Sequence, residues 1–81
     1  MSLQNEMRRT RKINQEYAAK RLRGEIESLA RVICINLDCS LTKPEDLPIG
    51  EADAQFDELK MKWGELSVAL NEISRLEEEL K

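Results

Sequence analysis

The chain has 81 residues, of which 36% are charged and 4% aromatic, and its net charge is −3. A chain of this length forms one small domain with a modest core, so it needs disulfides, a metal or a partner chain for stability. The longest apolar run is far shorter than the ~20 residues of a membrane-spanning helix. A cytoplasmic protein is therefore expected. Because Glu, Leu, Lys, Arg and Ala dominate, the composition predicts an all-α fold.

The first half of the chain predicts a long helix over about residues 5–38. Its apolar residues recur at intervals of four, three and four: Leu22, Ile26, Leu29 and Ile33. The apolar stretch 29–37 is also compatible with a short strand, but it continues the helical period, which favours helix. Residues 1–3 read as a possible expression leader and are set apart from the helix.

The connection, at about residues 39–50, contains both prolines and one glycine. Thr42 is expected to cap one short turn beginning at Pro44, and Pro48 prevents that turn from continuing. The apolar residues of the connection are expected to cover the end of the helical bundle: Leu41, Leu47 and Ile49.

The second half predicts a helix over about residues 51–80. Its large apolar residues are spaced alternately by three and four: Phe56, Leu59, Trp63, Leu66, Leu70 and Ile73. This spacing is typical of a heptad seam, in which one face of the helix packs against another helix.

Length and charge both predict an antiparallel hairpin. Two helices of similar length joined by a short connection fold back on each other. Residues 1–31 carry four more basic than acidic side chains, whereas residues 32–81 carry seven more acidic than basic ones. With Leu37 opposite about Ala52 across the connection, facing residue numbers add to about 89. This places Lys12 opposite Glu77, so that the basic run at the start of the chain meets the acidic tail.

Two further packing features are expected inside the hairpin. The same register places Trp63 beside Gly24, where the missing side chain would leave a notch for the indole. Asn36 falls at a position where the first seam expects an apolar residue. There it either fixes register as a buried polar group or is solvated near the helix end.

A two-helix hairpin leaves each apolar stripe half exposed, so we expect self-association. The leading architecture is a homodimer, an antiparallel four-helix bundle of two hairpins, although larger assemblies remain open. Its core and oligomer seam would consist of Leu22, Ile26, Leu29, Ile33, Phe56, Leu59, Trp63, Leu66, Leu70 and Ile73. A second apolar row, formed by Ala54, Met61 and Val68, also offers a surface to another subunit.

The chain lacks the residues that common catalytic and metal sites require. Histidine is absent, and none of the serines or glycines lies in a nucleophile or phosphate-loop motif. Cys34 and Cys39 are five residues apart, which suits neither a redox pair nor a zinc half-site. We interpret them as buried structural thiols, with a redox role or an intersubunit disulfide as the alternatives. No catalytic residue, metal site or cofactor is predicted.

The sequence thus favours a non-enzymatic interaction module or small adaptor that binds itself and another protein. The alternative is a nucleic-acid-binding accessory protein whose cations contact phosphates: Arg8, Arg9, Arg11, Lys12, Lys20, Arg21 and Arg23. A pI near 5.0 and the scarcity of aromatic residues favour the first hypothesis. An enzymatic role ranks last, because it would need a cleft between subunits lined by arginines and acids. A role at a membrane surface is not expected.

Overall fold

Residues 3–81, which the computed structural model describes, form two long antiparallel helices. Helix α1 spans Leu3–Asn36, a short 3₁₀ helix spans Pro44–Asp46, and helix α2 spans Ile49–Leu80. The molecule is a rod of 63 × 15 × 15 Å with a radius of gyration of 18.3 Å, against about 12 Å for a globular domain of this length. The predicted all-α hairpin is therefore confirmed. Residues 1 and 2 of the predicted leader lie outside the described residues, and Leu3 belongs to α1.

Both helices begin two residues earlier than predicted. Helix α2 starts directly after Pro48, whose carbonyl accepts the first helical hydrogen bond from the amide of Ala52 at 2.9 Å. Helix α1 ends at Asn36 because the carboxylate of Asp38 accepts hydrogen bonds from the amide and hydroxyl of Ser40, at 2.8 and 2.7 Å. Such local side-chain bonds compete with continuation of a helix. They also lower the pKa of Asp38, since they stabilise its charged form.

The connection differs from its prediction in two respects. The 3₁₀ helix does begin at Pro44, but Lys43 rather than Thr42 precedes it, and no side chain caps it. Leu41 and Ile49 are exposed, and only Leu47 is partly buried. The expected apolar cover over the end of the hairpin is therefore wrong: exposed Leu41 lies in the turn after α1, and exposed Ile49 is the first residue of α2.

The buried core of the described residues is small. It consists of Ala19, Leu22, Ala52, Ala69 and Leu76. Three of these five are alanines, which let two helices approach closely but remove little apolar surface from water. Neither α1 nor α2 is long and apolar enough to cross a membrane.

Candidate interaction surface

The face that each helix turns toward the other follows a continuous heptad pattern. Among the buried and partly buried positions of α1, one such row consists of Gln15, Ala19, Leu22, Ile26, Leu29, Ile33 and Asn36. Among those of α2, the corresponding row consists of Ala52, Gln55, Leu59, Lys62, Leu66, Ala69, Ile73, Leu76 and Leu80. Both sets alternate steps of three and four residues, as expected for two helices that supercoil around each other. We call these positions the hairpin seam.

The structure places the predicted seam residues on two different surfaces. All four residues predicted on α1 lie in the hairpin seam, as do Leu59, Leu66 and Ile73 of α2. The other three residues predicted on α2, Phe56, Trp63 and Leu70, are 48%, 63% and 37% exposed. The neighbouring positions 55, 62 and 69 pack toward α1 in their place. The sequence pattern predicted that three large apolar side chains of α2 face α1. In the structure, a glutamine, a lysine and an alanine take these places.

Phe56, Trp63 and Leu70 form an exposed row along one side of the hairpin, which we call the apolar flank. A shallow groove of about 290 Å³ lies along it, lined by Ile26, Ala30, Phe56, Leu59, Lys60 and Trp63. The ammonium of Lys60 lies 5.0 Å from the centre of the Phe56 ring, so its aliphatic stem borders the groove. The flank therefore presents aromatic and aliphatic side chains in a form that suits another helix.

The opposite side of the hairpin is charged. Five glutamates lie seven residues apart along α2: Glu51, Glu58, Glu65, Glu72 and Glu79.

The ammonium of Lys62 donates a 2.8 Å hydrogen bond to the carboxylate of Glu25 on α1. This bond lowers the pKa of Glu25 and raises that of Lys62, because it stabilises the charged form of both groups. The pair allows a lysine to occupy a seam position without an unpaired charge.

A second ionic group links the two ends of the chain. Arg8 lies 3.1 Å from Glu79, and Lys12 lies 3.6 Å from Glu77. Arg75 forms ion pairs with Glu72 and Glu79 on its own helix. The hydrogen bond from Arg75 lowers the pKa of Glu72 and raises that of Arg75. The expected meeting of the basic run with the acidic tail is confirmed.

The remaining candidate anion contacts divide into paired and unpaired cations. Arg21 pairs with Glu25 at 3.8 Å, and Arg11 lies close enough to Glu72 to lower its pKa. Lys20 and Arg23 are exposed and form no ion pair within the described residues. The seven cations therefore do not form one free basic surface, since several of them are matched by acids of the same chain.

Asn36 and Gln55 form a polar contact inside the hairpin seam near the connection. The amide nitrogen of Asn36 donates a 2.8 Å hydrogen bond to the side-chain oxygen of Gln55. Both side chains are partly buried, so of the two readings of Asn36 the structure supports pairing across the seam. A polar pair at one seam position favours a single register, because sliding the helices would leave both amides unpaired.

Two smaller predictions are corrected. Gly24 lies on the outer face of α1, and a Cβ atom there would meet nothing within 4 Å, so the indole of Trp63 does not occupy a notch at this residue. Cys34 and Cys39 are exposed free thiols rather than buried ones. Gly24 and Cys34 are exposed because α1 packs on one side only, whereas Cys39 lies in the turn that follows this helix.

Among residues 3–81, no group of His, Cys, Asp and Glu side chains is placed to hold a metal ion. Comparison of the chain with protein-family models, curated proteins and solved structures returned no match. The described part of the protein is a long antiparallel helical hairpin with one apolar and one charged side.

Proposed function

We propose that the protein is a non-enzymatic helical interaction module that self-associates into a four-helix bundle and offers its remaining helix surface to another protein. The observation that carries the proposal is the apolar flank. Phe56, Trp63 and Leu70 form an ordered row on a helix whose other side already packs against α1. A contiguous exposed apolar surface of this kind marks a protein interaction site.

The surface area of the hairpin supports the same proposal. The chain exposes 6116 Å² at a mass of 9.4 kDa, whereas a compact monomer of this mass exposes about 5,000 Å². The excess of about 1,100 Å² arises because each helix of the rod is covered on one side only. A standard protein interface covers about 800 Å² on each partner. One additional hairpin is therefore sufficient to bring the exposed area close to that of a compact protein.

We expect the wild-type protein at about 100 µM to sediment as a dimer, and Trp63→Glu to shift it toward monomer. Placing a carboxylate in the centre of the flank should weaken association by roughly 30-fold or more, as for the loss of an interface hot spot. Analytical ultracentrifugation over a concentration series measures this change.

The matched control is Met61→Glu. Met61 is 60% exposed and lies two residues from Trp63, on the other side of α2. The substitution introduces the same glutamate side chain there, so the Met61→Glu variant should sediment with the same mass as the wild-type protein. A monomeric wild-type protein would contradict self-association. Dissociation by Met61→Glu alone would move the interface to the row of Ala54, Met61 and Val68.

Nucleic-acid binding through the basic segment is the competing proposal. It has less support, because Arg8, Lys12 and Arg21 already pair with glutamates of the same chain. We expect no binding to a labelled random-sequence DNA duplex in fluorescence anisotropy titrations at about 50 and 200 mM salt. Binding at the lower salt that weakens steeply at the higher salt, and that Lys20→Glu with Arg23→Glu removes, would favour the nucleic-acid role instead.

A further inference from the structure

Trp63 lies at the centre of the apolar flank. Phe56 lies seven residues before it and Leu70 seven residues after it, which is about 10.5 Å in each direction along the helix. The row continues to Ile49, which is 61% exposed, in one direction and to Glu77 in the other. Within the flank, Phe56 and Leu70 lie at equal distances from Trp63, so a twofold axis at Trp63 brings each of them opposite the other in a second copy.

The groove on the flank has the shape of a coiled-coil hole. Phe56, Leu59, Lys60 and Trp63 occupy positions i, i+3, i+4 and i+7 of α2, and they line the groove together with two residues of α1. In helix packing, four residues with this spacing receive one apolar side chain from a facing helix. Ala30 on α1 leaves room at the groove floor because its side chain is small. With a twofold axis at Trp63, an antiparallel copy of α2 brings its Leu70 to the Phe56 end of this hole.

We infer that two copies of the chain pack α2 against α2, antiparallel, across a twofold axis close to Trp63. The inference rests on the proposed self-association and adds the identity and orientation of the partner. The partner's Leu70 enters the groove beside Phe56, and the two Trp63 indoles lie near the axis. The charged side of each hairpin, with its row of glutamates, stays on the outside of the bundle.

A second copy fits the flank better than an unrelated protein for two reasons. The flank is self-complementary in length, with a groove at one end and a leucine at the other. The excess area exposed by the rod, about 1,100 Å², is also large enough for a standard interface, which covers about 800 Å² on each partner. The main competing dimer stacks α2 of one copy on α1 of the other, which would bring Trp63 close to the partner's Ala30.

The test is crosslinking with a short bismaleimide in a background of Cys34→Ser and Cys39→Ser. Both native thiols are exposed, so their replacement should leave the fold intact. Mixing Phe56→Cys with Leu70→Cys should give a crosslinked dimer at least tenfold more efficiently than either variant alone. Two copies of the same variant would hold their thiols about 20 Å apart along the axis, beyond the reach of the reagent.

The alternative packing is tested in the same experiment by mixing Ala30→Cys with Trp63→Cys. Crosslinking of this pair, without crosslinking between positions 56 and 70, would overturn the inference while leaving self-association intact. A wild-type chain that sediments as a monomer would instead overturn the proposed function itself. The single tryptophan gives a second measurement, since its emission should shift to the blue as concentration rises and the indole becomes covered.

Discussion

Leu66→Asp is expected to unfold the hairpin. Leu66 lies in the hairpin seam, and the register of the ion pairs places Leu22, which is fully buried, on the facing helix. The substitution removes a partly buried seam side chain and places a carboxylate in the seam opposite the buried Leu22, at a cost of about 4 kcal/mol or more. Far-UV circular dichroism should show a large loss of helix, and sedimentation a loss of the folded species.

Val68→Asp is the matched control for this substitution. Val68 lies two residues away on the same helix but is 69% exposed, and it lies outside both the seam and the apolar flank. Its variant should change the free energy of unfolding by no more than about 0.5 kcal/mol. If Leu66→Asp instead kept the wild-type helicity and mass, the seam described for α2 would be wrong.

Leu76→Ala should produce the second-largest effect, a loss of about 3 kcal/mol in the free energy of unfolding. The side chain of Leu76 is 0% exposed although it lies five residues from the end of the chain. The ion pairs of Arg8 with Glu79 and of Lys12 with Glu77 place the aliphatic stems of both cations at the level of this leucine. Replacing Leu76 by alanine therefore leaves a cavity in a part of the hairpin seam that solvent does not reach.

Urea unfolding of the wild-type and variant proteins at equal concentration measures this loss as a lower midpoint. The control is Leu41→Ala in the connection, where the leucine is exposed and its truncation should shift the midpoint little. Equal midpoints for Leu76→Ala and the wild type would show that the two chain ends do not pack together in solution.

The register of the hairpin was predicted from the connection, which sets Leu37 opposite about Ala52, and the charges of the two halves agree with it. The residue numbers of facing pairs were expected to add to about 89. They add to 87 for Lys62 with Glu25 and for Arg8 with Glu79, and to 89 for Lys12 with Glu77. A basic first helix and an acidic second helix pair their charges in a narrow range of registers, and this information is present in the composition of the two halves.

The face of α2 was harder to predict because two adjacent rows have the same period. Gln55, Lys62 and Ala69 lie seven residues apart, as do Phe56, Trp63 and Leu70. Either row completes a heptad seam with Leu59, Leu66 and Ile73. By hydrophobicity alone, the row that begins with Phe56 is the one expected to face α1. In the structure, the row that begins with Gln55 faces α1 instead. The apolar flank could have been found from sequence only by asking whether Gln55 and Lys62 had partners on the other helix.

By itself, the sequence determined the two helices, their antiparallel direction, the position of the connection and the pairing of the chain ends, because these depend on local periodicity, prolines and net charge. Only the tertiary structure decided which side of α2 faces α1. That choice depends on pairwise contacts between distant residues: Lys62 reaches Glu25, Gln55 reaches Asn36, and the small side chains of Ala19 and Ala69 allow close approach. Since these contacts occupy the seam, Phe56, Trp63 and Leu70 remain on the surface that we propose for the second copy.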